Sequence, residues 1–565
     1  MQNRGYLLVA AIILCPALVL GQTTFIPLWA KDNGFLDRLE IKAQVDNDLN
    51  LSAVKPYMRK AYVQVADSFR ALLLNGQNPA RLTKVDEYNL NRFQANNSEF
   101  SRYTAADFPN WKSKKPWSEH FFPTPGNFIE VNTKDFYLSV NPAVNQQQSL
   151  EKDFDKRVFV NSKGVTARGL IANKIGFHFF LTDNQEQGPL HYRQFVDSMI
   201  AVPGAGFYKS FKQNGYDYFD ARGSVSWNVT KYINMQFGYD KNFIGNGHRS
   251  LLLSDFSNNM LFLKFNTRIW KINYTNLFME LFPTFGRRRD NLLDRKYAAM
   301  HHFSINATKW LNVGLFESII FGRANRFDFS YLLPVIFFRS IEQQNGSPDN
   351  ANIGFDFKAN IAKKFQAYGQ FMLDELNISE LRKDKTWWGN KQAFQLGGKY
   401  VDVFGIPNLD AQVEYNWIRP FTYSHYDSVA AYNHYQQPLA HPRGSNTSEV
   451  IGILKYQPLN KLYLQARLNY WQQGLDSTRP NFVNNGANPN VPNNLRKKNS
   501  GYRMLDGVLS KGIMAYLVAS YEIKENLFID ASMLYRTLEK AGGKQNVIMP
   551  GIGLRWNMFR RDYDF

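Results

Sequence analysis

The run Gly245-Asn246-Gly247-His248-Arg249 contains the residue types that cradle an oxyanion. Glycine backbone can approach a phosphate, and Arg249 can make a bidentate contact. No helix start follows, so a tight turn or inward-folded loop competes with a nucleotide site, and prevails over it. Arg287, Arg288 and Arg289 form a second cationic run between two strand candidates, suited to sugar acids or lipid phosphates, or to an ordinary charged rim. Glu317 interrupts an apolar alternation with Arg323 and Arg339 nearby in sequence, which predicts an ion cluster inside a lumen, structural before anything else. Trp387, Trp388, Tyr423 and Tyr426, with His425 among them, are loop aromatics on which sugar rings could stack. The competing account of such residues is the interfacial girdle of a membrane barrel.

Other chemistries lack their residues. His425, His434 and His441 do not make a compact metal-ligand motif, and there is no H-E-x-x-H, so no metal is expected. No G-x-S-x-G setting stands out, and no catalytic residue or cofactor is assigned. Cys15, the single cysteine, falls within residues 6–20, an apolar run behind Arg4 that reads as a secretory signal peptide (1–21). The rest then has no disulfide framework and no thiolate nucleophile.

The elements that must position these residues are strands. In Lys461-Leu-Tyr-Leu-Gln-Ala-Arg-Leu-Asn-Tyr-Trp471 the apolar positions Leu462, Leu464, Ala466, Leu468 and Tyr470 alternate with Tyr463, Gln465, Arg467 and Asn469. The same period recurs from Leu409 to Trp417, from Leu527 to Tyr535, and through most of the chain. After the signal no apolar run approaches the roughly 18 residues of a membrane helix. Lipid outside and a wet lumen inside a closed barrel account for the alternation. Short turns, such as the one at Lys524-Glu525-Asn526, alternate with long loops (338–353, 420–447, 474–511), and the final Phe565 resembles the terminal signal of outer-membrane barrels. The expected fold is all-β, a transmembrane antiparallel β-barrel of about 18 strands (16–20) over residues 128–565. A small α-helical N-terminal periplasmic segment, 22–127, precedes it. There Leu39, Ile41, Ala43 and Val45 suggest a short strand, Tyr62, Val65 and Phe69 a helix, and Thr83 with Asp86 a capping box opening another.

The formal charge of +19 predicts polyanionic partners, which for an outer-membrane protein are lipopolysaccharide and acidic surface glycans rather than nucleic acid. The segment Tyr239-Asp-Lys-Asn-Phe-Ile-Gly-Asn-Gly-His-Arg-Ser-Leu-Leu-Leu-Ser-Asp255 resembles the signature of the capsule-assembly Wzi family and of the gliding-motility barrels called RemB. Lys296 to His302, Gly314 to Glu317, Tyr331 to Val335, Phe338 to Glu342, Gly346 to Asn350 and the loop from Thr422 to Pro442 follow in the family's order. The resemblance spans residues 35–565. It implies an outer-membrane barrel of a Gram-negative bacterium with a role in surface polysaccharide or surface motility, and motility or secretion machinery as a further partner beside outer-membrane lipid. The candidate glycan contacts are Arg249, Arg287, Arg288, Arg289, Arg323, Arg339, Trp387, Trp388, Tyr423, His425 and Tyr426. A porin-like channel and an outer-membrane enzyme are the alternatives; an enzyme is not expected.

Overall fold

The structure, a computed structural model, describes residues 23–212, 214–283, 292–335, 337–346, 348–375, 378–478 and 480–565. The expected signal segment 1–21 and Arg287, Arg288 and Arg289 lie outside the described residues.

Eighteen antiparallel strands close into one ring. In chain order they are β1 (Phe136–Leu150), β2 (Arg157–Ile171), β3 (Ile175–Gln187), β4 (Gly215–Asn228), β5 (Ile233–Asp240), β6 (Met260–Ile269), β7 (Ile272–Leu281), β8 (Lys296–Asn306) and β9 (Leu311–Phe321). The second half comprises β10 (Asn350–Ile361), β11 (Phe365–Glu375), β12 (Lys391–Tyr400), β13 (Leu409–Ile418), β14 (Thr447–Leu459), β15 (Leu462–Leu475), β16 (Val508–Lys524), β17 (Leu527–Lys540) and β18 (Gly543–Trp556). The seam pairs β18 with β1 from Gly551↔Ser149 to Trp556↔Val144, and a short strand, Ile129–Asn132, continues it along Tyr137–Val140. Closure leaves no free edge, so every spanning strand finds ladder partners without water. The stretch expected as two strands around 156–172 is one, β2, running unbroken through Gly164 in register with β3.

The period-two pattern sorts faces as expected on β15. Leu468 and Tyr470 point to lipid, while Arg467 and Asn469 are buried inside. Beside β6 to β13 the lumen is filled by an apolar plug. The connection 241–259 between β5 and β6 folds inward, and Leu251, Leu252 and Leu253 pack against the inward faces of Met300, Phe316, Met372 and Ile418 and the loop residues Tyr432 and Leu439. Inward positions of β6 to β13 are apolar where this plug meets them, because burying such side chains against each other is worth about 1.5–3 kcal/mol apiece.

At the end with the short turns sit three long helices, α1 (Asp32–Ala43), α2 (Arg59–Leu74) and α3 (Lys84–Ala95), with a one-turn helix, Asn47–Asn50, between the first two. The capping box at Thr83 and Asp86 is formed as expected. The stretch expected as a strand around Leu39 is α1 instead. Leu36, Leu39 and Ala43 recur at helical spacing against the core with Leu90 and Phe93, while Arg38, Glu40 and Lys42 are buried as well, on carboxylates, lysine and amides of the wall. A helix buried all round does not carry a clean 3.6 period.

This cap is bolted to the short turns by ions. Arg38 donates from Nε to Asp86 at 2.6 Å and also reaches Asp402 and Asp410 of the β12–β13 turn region; Lys42 holds Asp86 and Asp402 at 2.8 and 2.9 Å. Arg92 and Lys31 grip Glu522 and Glu525 at the β16–β17 turn. Residues 557–565 turn back into the lumen after β18. Arg561 pairs with Glu186, Asp562 with Arg467, and Asp564 with Arg249. Phe565 therefore does not end the last strand. It packs inside on Phe195 and Phe256, and Trp556 closes β18.

Candidate functional site

The described residues of three long connections, 378–390, 419–446 and 476–507, converge over the mouth opposite the cap. Trp388 N–H donates to the Asn499 carbonyl at 3.0 Å, Tyr502 N–H to the Thr386 carbonyl at 2.9 Å, and Asn493 N–H to the His425 carbonyl at 3.2 Å. Lys391 Nζ donates to the Ser424 carbonyl at 3.0 Å, tying the start of β12 to the middle loop. The result is one platform. Trp387 and Trp388 lie with ring centroids 5.7 Å apart, Arg496 stacks on Trp388 at 3.9 Å, and Lys391 approaches the same ring at 5.4 Å. Lys385, Lys497, Lys498 and Arg503 are exposed around it. Cations laid on indole faces and a basic rim suit saccharide rings that carry negative charge.

His425 and Tyr426 belong to the same platform, with ring centroids 4.2 Å apart. Tyr426 is 49% exposed. Burial, and then the Lys391 ammonium, push His425 below its ordinary range, so its ring stays neutral near pH 7.

Other expected contacts lie elsewhere. Tyr423 is buried, its hydroxyl donating to the Leu251 carbonyl at 3.0 Å, so it fastens the middle loop to the plug and offers no face to a sugar. Arg249 is also buried, on Glu449 and Asp564. The Gly-rich run beside it does cradle an anion, but one of the chain's own. The Glu414 carboxylate accepts from His248 N–H at 2.7 Å and Arg249 N–H at 3.0 Å. Gly247 is required there, since a Cβ would stand 2.3 Å from Glu414 Oε2 and 2.9 Å from the Arg249 carbonyl oxygen.

The expected lumen cluster of Glu317, Arg323 and Arg339 does not form. Arg323 pairs with Asp349 and Asp328, and Arg339 with Glu342. Glu317 lies on the outward face of β9, with His301 of β8 beside it. The β9–β10 connection folds down over both on the outside of the barrel. Tyr331 and Phe338 pack there on Phe278, Tyr297, Ile319 and Phe321, and Phe337 N–H donates to Glu317 Oε2 at 2.5 Å. The outer side of this flap is apolar, with Phe329 and Phe337 78% and 68% exposed. Alternation puts Glu317 on the face of the exposed Leu315, but it does not show that the following loop folds back to shield a carboxylate there.

Two arrangements carried no local signal. Ser224 Oγ lies 3.0 Å from His178 Nδ1, and His178 Nε2 lies 3.0 Å from Asp240 Oδ2, joining β4, β3 and β5. Ser224 is buried and accepts from the Gln236 amide at 2.8 Å, so the relay braces the wall and presents no nucleophile. Among the described residues there is also no group of three or more His, Cys, Asp or Glu side chains that could hold a metal. The second arrangement lies on the outer wall. On β1 the outward side chains change from Leu138, Val140 and Val144 to Gln146 and Gln148, which marks where the strand leaves lipid. Opposite them stand Asn161 and Phe159 of β2, and beyond these Gln185 and Gln187 of β3. These amides line a groove of about 670 Å³.

No protein-family model and no curated protein matches the chain. Among solved structures it is similar to Wzi of Escherichia coli, an outer-membrane carbohydrate-binding β-barrel involved in group 1 capsule assembly, with 13% identity and a TM-score of 0.56 over 95% of this chain and 100% of that one. Pseudomonas aeruginosa OprD aligns at 10% identity and a TM-score of 0.40, over 74% of this chain and 94% of that one. Acinetobacter baumannii OccAB2 aligns at 8% and 0.41, over 74% and 97%. At such identities the likeness is one of fold, and the architecture itself, eighteen transmembrane strands closed on each other, is that of a Gram-negative outer-membrane protein.

Proposed function

We propose that this barrel is a noncatalytic cell-surface receptor that binds or organises acidic polysaccharide, capsular or lipopolysaccharide, through the loop platform around Trp387, Trp388, Arg496 and Tyr426. The observation that carries the reading is the convergence of three loops into one basic, aromatic surface above an occupied lumen. The amides of the protruding wall supply hydroxyl recognition next to charge recognition, as a glycan chain requires. The carbohydrate-binding character of the Escherichia coli barrel agrees with it. A part in surface motility would use the same platform as an adhesive face. The channel reading is the weaker one, since cap, plug and residues 557–565 share the lumen.

The test is binding of acidic polysaccharide from the cell's own surface to purified protein across a salt series. Affinity falls steeply with salt, because the Debye length contracts from about 10 Å at 0.1 M to about 3 Å at 1 M. Trp387→Ala with Trp388→Ala weakens it, and so does replacing Arg287, Arg288 and Arg289 by Ala, with heat-modifiable migration on gels unchanged. Absence of affinity for any surface glycan at low salt refutes the receptor; unchanged binding by both variants refutes the choice of loops.

A further inference from the structure

Between the cap, the plug and residues 557–565 the lumen keeps a chamber of about 710 Å³. This is within the roughly 300–1,000 Å³ of small-molecule sites. It lies at the opposite mouth from the platform, and none of Trp387, Trp388, Tyr426 and Arg496 lines it. Its lining is lopsided in charge, with twelve basic against six acidic side chains.

Most of these are matched. Asp37 is held by Lys399 at 3.1 Å, Asp410 by Arg38, and Asp562 and Asp564 by Arg467 and Arg249, which leaves Asp32 and Asp255 without an ion pair among the described residues. Of the basic residues, Lys55, Lys241, Lys455 and Arg560 have no carboxylate within ion-pair distance among the described residues. Four unmatched cations thus face two unmatched acids.

The imbalance is sharpest around α1. Burial alone would push the Asp37 carboxyl up, yet Lys399, Lys55 and Lys455 together hold it below the usual carboxylate range. Lys55 and Lys455 thus stand near the Lys399–Asp37 ion pair with no carboxylate of their own within ion-pair distance among the described residues. Burial pushes the Lys55 ammonium down, Asp37 pulls it up, and repulsion from Lys399 lowers it again. The Lys55 ammonium also lies over the rings of Phe243 and Tyr57, at 5.2 and 5.7 Å. Lys455 lies on the inward face of β14, and its ammonium makes no hydrogen bond among the described residues and is exposed to the chamber. Like charges gathered away from bulk water cost free energy that a bound anion would return.

We propose that this chamber is a binding site for a small polyanion, a solute bearing phosphate or carboxylate oxygens, with Lys55, Lys399 and Lys455 as its principal contacts and Lys241 and Arg560 as further ones. Ammonium groups act as point charges without a fixed fork, so the site selects charge before shape.

The experiment titrates the full detergent-solubilised protein at low salt with pyrophosphate, with trigalacturonate, and with neutral maltotriose as control. At least one of the two anions binds at one site per chain and maltotriose does not; which of the two binds tells a phosphate solute from an acidic saccharide. Lys55→Gln with Lys455→Gln weakens that binding at least tenfold, whereas Trp387→Ala with Trp388→Ala leaves it unchanged. In wild-type protein the bound anion also slows acylation of Lys55 and Lys455, followed residue by residue by mass spectrometry, which needs no variant to fold. Failure of both anions to bind, equal binding of maltotriose, unchanged affinity in the double variant, or unslowed acylation overturns the proposal, whatever the platform variants do to polysaccharide binding.

Discussion

Replacing Arg38 by Met should unseat the cap while leaving the barrel closed. Arg38 lies buried between Asp86 of α3 and Asp402 and Asp410 of the wall, so one side chain spans the joint between cap and turn. Methionine keeps the length and the apolar stem but leaves three carboxylates to Lys42, which already serves two of them. Removing one partner of a buried ion pair costs about 3–5 kcal/mol. At 1.4 kcal/mol per decade, that is a rise of about two to three and a half decades in the undocked population. When opening is fast relative to cleavage, proteolysis reports that population. The assay is limited proteolysis between α2 and α3, near Gly76, with gel migration of unheated samples confirming an intact barrel. Wild-type cleavage rates in Arg38→Met would refute the reasoning that these charges, rather than apolar packing with Val63 and Phe93, hold the cap in place.

Acid should do the same reversibly. Burial pushes Asp86 and Asp402 up, but Arg38 and Lys42 outweigh it, and Lys31 and Arg92 do likewise for Glu525, so all three sit below their ordinary ranges. Their contribution is complete above the unfolded values, about 3.9–4.3, and is lost as pH falls below them; hydrogen-exchange protection factors of α1 to α3, corrected for the intrinsic rate at each pH, should be flat between pH 8 and 5 and fall below about 4. Gly247→Ala should loosen the plug by about 1–3 kcal/mol through its clash with Glu414 and the Arg249 carbonyl, seen as conductance steps in planar bilayers that wild type lacks. Glu317→Ala should expose the flap to protease, since it takes the carboxylate acceptor from the partly buried Phe337 N–H at a cost of about 1–3 kcal/mol, whereas Glu317→Gln keeps an acceptor and should behave like wild type.

The barrel was legible because one physical demand, lipid outside, repeats in every strand and leaves a period of two. The capping box at Thr83 was legible because it is local. What fills the barrel was not. The Leu251 to Leu253 run reads as apolar, but nothing local says that it is wrapped by β6 to β13 and not by lipid. Leu39, Ile41 and Ala43 read as a strand because α1 buries both its faces. Arg249 and Tyr423 looked available because their partners, Glu449 and the Leu251 carbonyl, lie about 200 and 170 residues away. Trp387, Trp388, His425 and Tyr426 of the platform were picked out by type, and only the fold shows that Arg496 and Tyr502 complete it.

The flap over β8 and β9 has a consequence for how neighbours see this molecule. A barrel whose girth is uniformly apolar presents the same side to every direction in the bilayer plane and can spin freely among its lipids. Here one sector is thickened by Tyr331, Phe338 and the exposed Phe329 and Phe337, covering an acid and a histidine, while the sector of β1 to β3 rises above the lipid as a wall of amides. These two sectors give the molecule a front and a flank. A lateral neighbour, protein or glycan, can meet it in one azimuthal orientation, so that copies in a crowded membrane can be aligned with respect to each other by shape alone.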